Sequence, residues 1–337
     1  MPVQFSWEGN NAIITKSYRQ DECGLFNVAA TSTVARAKKP RTRVVNHMSN
    51  VTIVGAGVIG ASFARLFAQA GWEVHLSDPR PDLDEITATT LAGLNVRTFS
   101  DLAEAAQGAD FVQEAGPERI PVKQQMFGTL AANTREDVVL ASSSSSLLPS
   151  ALAEGNPAAA RIVIGHPFNP PELMPLVEIV PSPATSAVTI DRAYQVYRQL
   201  GKLPIKLKRE IPGFVGNRLQ RTFNDQSVYL VQQGIIDPED LDDLVKASLG
   251  LRWATMGPFE SRTLGGGAGG MRQLLEHVGS QMTFEMGEPD RCAYAPVIDA
   301  VEKAYGTGPE SYQRLAARRD RRTRAVLKAL AEADEKE

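Results

Sequence analysis

Residues 51–79, VTIVGAGVIGASFARLFAQAGWEVHLSDP, decide the fold. They open with an apolar, β-branched run, turn through Gly55-x-Gly57-x-x-Gly60, continue as an amphipathic helix and close on a second strand ending at Asp78. Each glycine answers a separate steric demand. Gly55 permits the tight turn out of the strand, Gly57 leaves the backbone open to a pyrophosphate, and Gly60 lets helix and strand pack closely. A glycine triplet alone is a weak signal, but strand, turn, helix, strand and terminal acid together specify a Rossmann-type unit. Phosphates would rest on the helix N-terminus, where unpaired N–H groups and the dipole favour an anion. Asp78 is placed to accept hydrogen bonds from an adenosine ribose, and its charge repels a 2′-phosphate. The expected cofactor is therefore NAD, with Arg80 leaving NADP open.

Beyond Asp78 the chain alternates as a nucleotide domain should. LNVRTF (94–99), ADFVQEA (109–115), DVVLASS (137–143) and RIVIGHP (161–167) read as short strands, with helix-like stretches at 101–107 and 122–134 between them. Residues 204–208 would add a last strand. After Gly213 the pattern turns helical, with amphipathic runs at 217–233, 237–248 and 309–333, and Asp237-Pro238 marks a helix start. The expected class is α/β: a Rossmann-type doubly wound sheet over residues 50–211, followed by an all-helical C-terminal domain over 212–337. The glycine run 265–270 lacks the Lys-Ser/Thr ending of a phosphate loop and reads as a flexible connection. The basic cluster 318–324 reads as a solvated helix face. Residues 1–49 differ, with seven basic residues against three acids and no sustained periodicity. They read as a disordered extension or an overlong start before Met48, with a targeting peptide as the alternative.

The 337 residues have room for two domains, and 43% apolar residues suits a globular protein. A formal charge of −3 gives no reason to expect nucleic acid or a membrane surface as partner. No apolar run approaches the ~20 residues of a membrane span. Cys23 and Cys292 are too few for a disulfide framework, which fits a reducing, cytoplasmic setting. No metal site is expected.

The chemistry needs a base. Of four histidines, His47 lies in the extension, His75 in the second Rossmann strand and His277 in a helix. His166 alone follows an apolar strand, RIVIG, where a doubly wound fold binds its ligands. Glu178, inside the apolar segment LVEIV, is costly to bury unless something pairs with it.

Glu118 with Lys123, the serine run with Ser145, HPFNP, Glu178 and PGFVGNRL together resemble the L-3-hydroxyacyl-CoA dehydrogenase superfamily from about residue 50 to 265. SSSSSLLPS, HPFNPPELMPLVEIVP, GLRWATMGP and LAARRDRRTRAVLKAL are most similar to its lambda-crystallin branch, whose enzyme activity is L-gulonate 3-dehydrogenase. The resemblance implies that Val58 and Ile59 offer backbone to the pyrophosphate, beside Gly55, Gly57 and Gly60. It implies that Asp78 holds the adenosine ribose and that Glu118 and Lys123 meet the nicotinamide half. His166 becomes the general base, Glu178 its orienting partner, and Ser145 and Asn217 the groups around the reacting oxygen. Asn169 lines the same pocket. At position 143 the chain has serine where hydroxyacyl-CoA enzymes typically carry asparagine, as the lambda-crystallin branch also does.

Asp78 and Glu118 stand only forty positions apart. In acyl-CoA enzymes this stretch usually includes a projecting helical pair that helps hold coenzyme A, so the short stretch favours a small free hydroxy acid. It also departs from the lambda-crystallin branch. The expected activity is NAD-dependent oxidation of a small 3-hydroxy acid such as L-gulonate. The alternatives are a 3-hydroxyacyl-CoA dehydrogenase, an L-carnitine dehydrogenase, or a structural, crystallin-like role. Arg252 in GLRWATMGP is the candidate partner for a substrate carboxylate. The family and the helical second domain suggest a homodimer.

Overall fold

The computed structural model describes residues 3–8, 11–16, 49–277 and 284–335. Two units are distinct, residues 1–47 and 48–337. In the first, β1 (Val3–Glu8) pairs antiparallel with β2 (Asn11–Lys16). The sequence reading placed no strand here, although Val3, Phe5 and Trp7 alternate with Gln4, Ser6 and Glu8, a period-two signal. His47 and Cys23 lie outside the described residues.

The second unit is built on an eight-stranded sheet. Its strands are β3 (Asn50–Val54), β4 (Glu73–Ser77), β5 (Val96–Phe99), β6 (Phe111–Glu114), β7 (Val139–Ser142), β8 (Ile162–Pro167), β9 (Leu176–Pro181) and β10 (Leu203–Lys206), in the order β10-β9-β8-β7-β6-β3-β4-β5. All neighbours are parallel except β8 and β9. The order reverses between β3 and β6, which opens a crevice at their carboxyl ends. Strands buried on both faces need no polar alternation, and so the inner ones are near-continuous apolar runs.

Each face has its own core. On one, Phe63 and Phe67 of α1 (Val58–Gln69) and Val196 and Tyr197 of α6 (Ala187–Gln199) pack on Val51, Ile53, Phe111, Val139 and Val163. On the other, Phe127 and Leu130 of α4 (Ile120–Asn133) and Leu152 of α5 (Pro149–Ala153) pack on Val112, Leu140, Ile162 and Ile164. Only α2 (Leu83–Thr90), β5 and α3 (Leu102–Ala106) lie between β4 and β6.

After β10 the chain is helical: α7 (Gly216–Gln232), α8 (Pro238–Ala247), α9 (Leu249–Thr255), α10 (Pro258–Gly265), α11 (Gly270–His277), α12 (Ala295–Tyr305) and α13 (Gly308–Asp334). The glycine run connects α10 to α11. It forms a short 3-10 turn between α10 and α11, and a Cβ on Gly266 would come within 1.8 Å of the Gly270 carbonyl oxygen. Gly266 thus serves close packing, whereas a Cβ on Gly267 would meet nothing within 4 Å. On α13, half-buried Arg318 and exposed Arg322 act on Asp243 of α8, whose carboxyl Lys246 and these arginines hold below the usual range.

Candidate functional site

The turn after β3 opens into a cleft of about 690 Å3 lined by Gly55, Gly57, Asp78, Arg80, Ala115, Gly116, Pro117 and Met126, among others. The three glycines differ in what confines them. Gly55 sits at φ +96°, and a Cβ there would approach the Ala115 oxygen to 2.7 Å. A Cβ on Gly60 would meet the Gly55 oxygen at 1.8 Å. At Gly57 nothing in the chain lies within 4 Å, so its missing side chain leaves open space at the start of α1. The N–H groups of this first helical turn, Val58 and Ile59 included, have no partner within the helix. Asp78 Oδ2 accepts the Ala56 N–H at 2.8 Å, which ties the acid to the turn. Arg80 is held by Asp82 at 2.7 and 3.0 Å, which leaves Asp78 the free charge at this end of the cleft. Open backbone donors, a cleft and a terminal acid fit NAD.

A second cluster joins β6, β7 and α4. Lys123 and Glu114, both fully buried, form an ion pair, with Nζ donating to both carboxylate oxygens at 2.7 and 2.8 Å and to the Gly116 carbonyl at 3.2 Å. Ser142 Oγ also donates to Glu114. Lys123 lies 3.5 Å from Glu118, so its nearer partner is Glu114, which the sequence reading passed over. The clue was an acid closing the apolar strand FVQE, the same argument that singled out Glu178. Glu118 instead clamps the serine loop: its Oε1 accepts from Ser144 Oγ, Ser145 N, Ser146 N and Ser146 Oγ at 2.5 to 3.1 Å. Burial pushes the Glu118 carboxyl up, but these bonds and the Lys123 charge outweigh it and hold it below the usual carboxylate range. Ser145 itself is exposed.

The third cluster is set by strand register. The antiparallel pairing of β8 and β9 puts His166 directly opposite Glu178, and both are buried. His166 Nδ1 lies 2.8 Å from Glu178 Oε2. The other oxygen, Oε1, accepts the N–H groups of Val215 and Gly216 at 3.1 and 3.0 Å, at the start of α7. Burial pushes the Glu178 carboxyl up, yet the bonds from His166, Gly216 and Val215 hold it below the usual range.

PGFVGN is shaped for this contact. Gly213 and Phe214 both adopt positive φ, 75° and 49°, and Phe214 is fully buried with its ring 5.4 Å from that of His166. A phenylalanine in the left-handed region costs about 1–3 kcal/mol, which its packing offsets. Gly216 admits Phe168, which a Cβ would approach to 2.2 Å. One residue on, Asn217 Nδ2 donates to the Ser145 carbonyl at 2.9 Å, joining α7 to the serine loop.

The remaining candidates stand apart from this network. Asn169 is exposed three residues beyond His166, and no hydrogen bond joins it to the pair among the described residues. Arg252 is exposed on α9, where its backbone alone is bonded. His75 is buried between Asn50 and the Ala105 carbonyl, and His277 bonds the Gln273 carbonyl on α11.

The family described as 3-hydroxyacyl-CoA dehydrogenase, NAD binding domain, matches residues 50–93 and 83–211, and its C-terminal domain matches 213–313. A Gibberella moniliformis protein named 3-hydroxyacyl-CoA dehydrogenase is 41% identical over 70% of this chain and 79% of its own. A Nocardiopsis dassonvillei protein named L-carnitine dehydrogenase is 37% identical over 85% and 93%, and a Bos taurus lambda-crystallin homolog 40% over 69% and 78%. Among solved structures, an NAD+-dependent 5-formyl-3-hydroxy-2-methylpyridine 4-carboxylic acid 5-dehydrogenase is similar with a TM-score of 0.73 and 26% identity, over 85% of this chain and 99% of that one. The chain belongs to the 3-hydroxyacyl-CoA dehydrogenase family and is an NAD-dependent oxidoreductase.

Proposed function

We propose that the protein oxidises a small 3-hydroxy acid, carried as a free carboxylate, to the 3-keto acid, with His166 as general base. The observation that carries this reading is the buried His166–Glu178 pair. With Nδ1–H donated to Glu178, the neutral ring keeps Nε2 as an acceptor. Bound NAD supplies the hydride acceptor. Loss of hydride from a secondary alcohol requires the hydroxyl proton to leave, and His166 Nε2 is the acceptor for it. Glu178 then stabilises the imidazolium, while Ser145 and Asn217 donate to the reacting oxygen. Glu118 and Asn169 stand toward the cofactor's nicotinamide half in this reading, and Lys123 acts on it through Glu118. The same groups protonate a ketone in reverse.

The short connection between β4 and β5, with its single eight-residue helix α2, supports a substrate without coenzyme A. The family match divides in the same place, at residues 83–93. L-Gulonate is the leading candidate. L-Carnitine, also a free 3-hydroxy acid, is favoured by the long overlap with proteins named L-carnitine dehydrogenase. Arg252 is the proposed partner of the carboxylate, supported by its exposed guanidinium, which has no ion-pair partner among the described residues. The test is turnover of L-gulonate, L-carnitine, L-3-hydroxybutyrate and 3-hydroxybutyryl-CoA with NAD, followed by NADH absorbance. A clear preference for the thioester would overturn the free-acid reading.

The protein is also proposed to act as a homodimer through its helical half. No side chain of α7, α8, α9, α10 or α13 is fully buried, and Leu219, Ile235, Phe259 and Tyr312 are each 65% exposed or more. So much open apolar surface favours a covering partner. Light scattering should give the mass of two chains, and a monomer would refute the assignment.

A further inference from the structure

Tyr197 of α6 is fully buried, and its hydroxyl lies where a Cβ on Gly165 would come within 1.8 Å of it. It donates to Gln113 Oε1 at 2.7 Å. Gln113, fully buried on β6, donates from Nε2 to Ser143 Oγ at 2.8 Å. These three residues lie outside the hydrogen bonds of Glu118, His166 and Glu178 described above.

The direction of this run is fixed at its buried end. Tyr197 has no other acceptor among the described residues, and burial pushes its pKa up, so it stays a protonated donor. Turning the Gln113 amide over would leave the phenolic hydrogen unpaired in the core, a penalty no other contact offsets. Gln113 therefore presents N–H to Ser143, and the Ser143 oxygen accepts it. The Ser143 O–H is left to donate elsewhere.

Ser143 is half-buried and follows the last residue of β7, with its own N–H bonded to the Glu114 carbonyl at 2.7 Å. In sheet order β7 comes after β6, whose following residues Ala115, Gly116 and Pro117 wall the cofactor cleft, and before β8, which carries His166. A dinucleotide whose adenosine end is at Asp78 and whose phosphates lie at Gly57 reaches the end of β7 with its other half.

We propose that Ser143 is a cofactor-contacting residue whose hydroxyl donates to a carboxamide or ribose oxygen of the nicotinamide half of NAD, with Gln113 and Tyr197 as positioning residues that set it as a donor. This rests on the cofactor and not on the identity of the substrate.

The experiment is calorimetric titration of the full chain with NADH and, separately, with ADP-ribose, which lacks the nicotinamide. Ser143→Ala should weaken NADH about three- to tenfold, as loss of one neutral hydrogen bond implies, and leave ADP-ribose unchanged. Tyr197→Phe should weaken NADH by less and add nothing in the Ser143→Ala background, since it acts through Ser143. Unchanged NADH affinity in folded Ser143→Ala would overturn the contact, as would equal losses for both ligands. Full additivity of the two substitutions would overturn the positioning role.

Discussion

Glu178 grips His166 with one carboxylate oxygen and the first N–H groups of α7 with the other. The proposed base and the helix carrying Asn217 are therefore fixed by a single side chain. Because β8 and β9 pair in a register that sets residues 166 and 178 opposite each other, the sheet itself aligns the base. A charged group so enclosed is tolerable because each oxygen has its own donors.

Removing the base should cost far more than loosening it. His166→Ala is expected to lower kcat by roughly 10² to 10⁴ with the NADH Kd nearly unchanged, since general base catalysis is typically worth that much. Glu178→Gln should cost less, because the proton acceptor remains. Single-turnover and titration measurements check both, and near-normal turnover by the folded alanine variant would refute the mechanism.

Acid should destabilise the fold through two carboxylates. Glu178 and Glu118 both have folded-state pKa values below the ordinary carboxylate range. The unfolded chain then binds more protons than the native one as pH falls through about 4.3, the ordinary glutamate value. Their stabilisation is complete above that value and is lost as pH drops through the lower folded values. Melting temperature against pH should fall through this window. The fall should be shallower in Glu178→Gln, and an identical slope would count against the assignment.

Much of this was legible in the sequence, and the exceptions have physical causes. The doubly wound sheet could be read because its inner strands are short, largely apolar runs, and the first of them leads directly into the Gly55-x-Gly57-x-x-Gly60 turn. His166 and Glu178 could be read for the same reason, as polar residues in apolar strands. Glu114 gave the same signal, but the more familiar Glu118 drew Lys123 away from it. The hydrogen bonds of Gln113 to Tyr197 and Ser143 span 84 and 30 positions, and no local pattern encodes contacts at that range. Helices α9 and α10 were not read individually because they are short and separated by Gly257, with the 265–270 run following, so no apolar stripe is sustained.

The buried Lys123–Glu114 pair should matter mainly through what is left when half of it is removed. Lys123→Met leaves a carboxylate at 0% exposure with only Ser142 and the Gly116 N–H as donors. Breaking such a pair typically costs about 3–5 kcal/mol. Chemical denaturation should show that loss, and Lys123→Met with Glu114→Gln should recover part of it because no charge is stranded. A double variant no better than the single one would show that packing, not charge, dominates.

The glycines of the turn should separate fold from cofactor affinity. Gly60→Ala drives a Cβ to 1.8 Å from a backbone oxygen, which neither α1 nor β3 can relieve without moving apart. A large fall in melting temperature is expected even with no ligand present. Gly57→Ala meets nothing within 4 Å of the new carbon, so the unliganded protein should melt within about a degree or two of the wild type. Its Cβ would occupy the space that the pyrophosphate needs, so NADH affinity should fall at least tenfold. Thermal melts with and without saturating NADH distinguish the two variants. Normal NADH affinity in Gly57→Ala would mean that the phosphates lie elsewhere than on the first turn of α1.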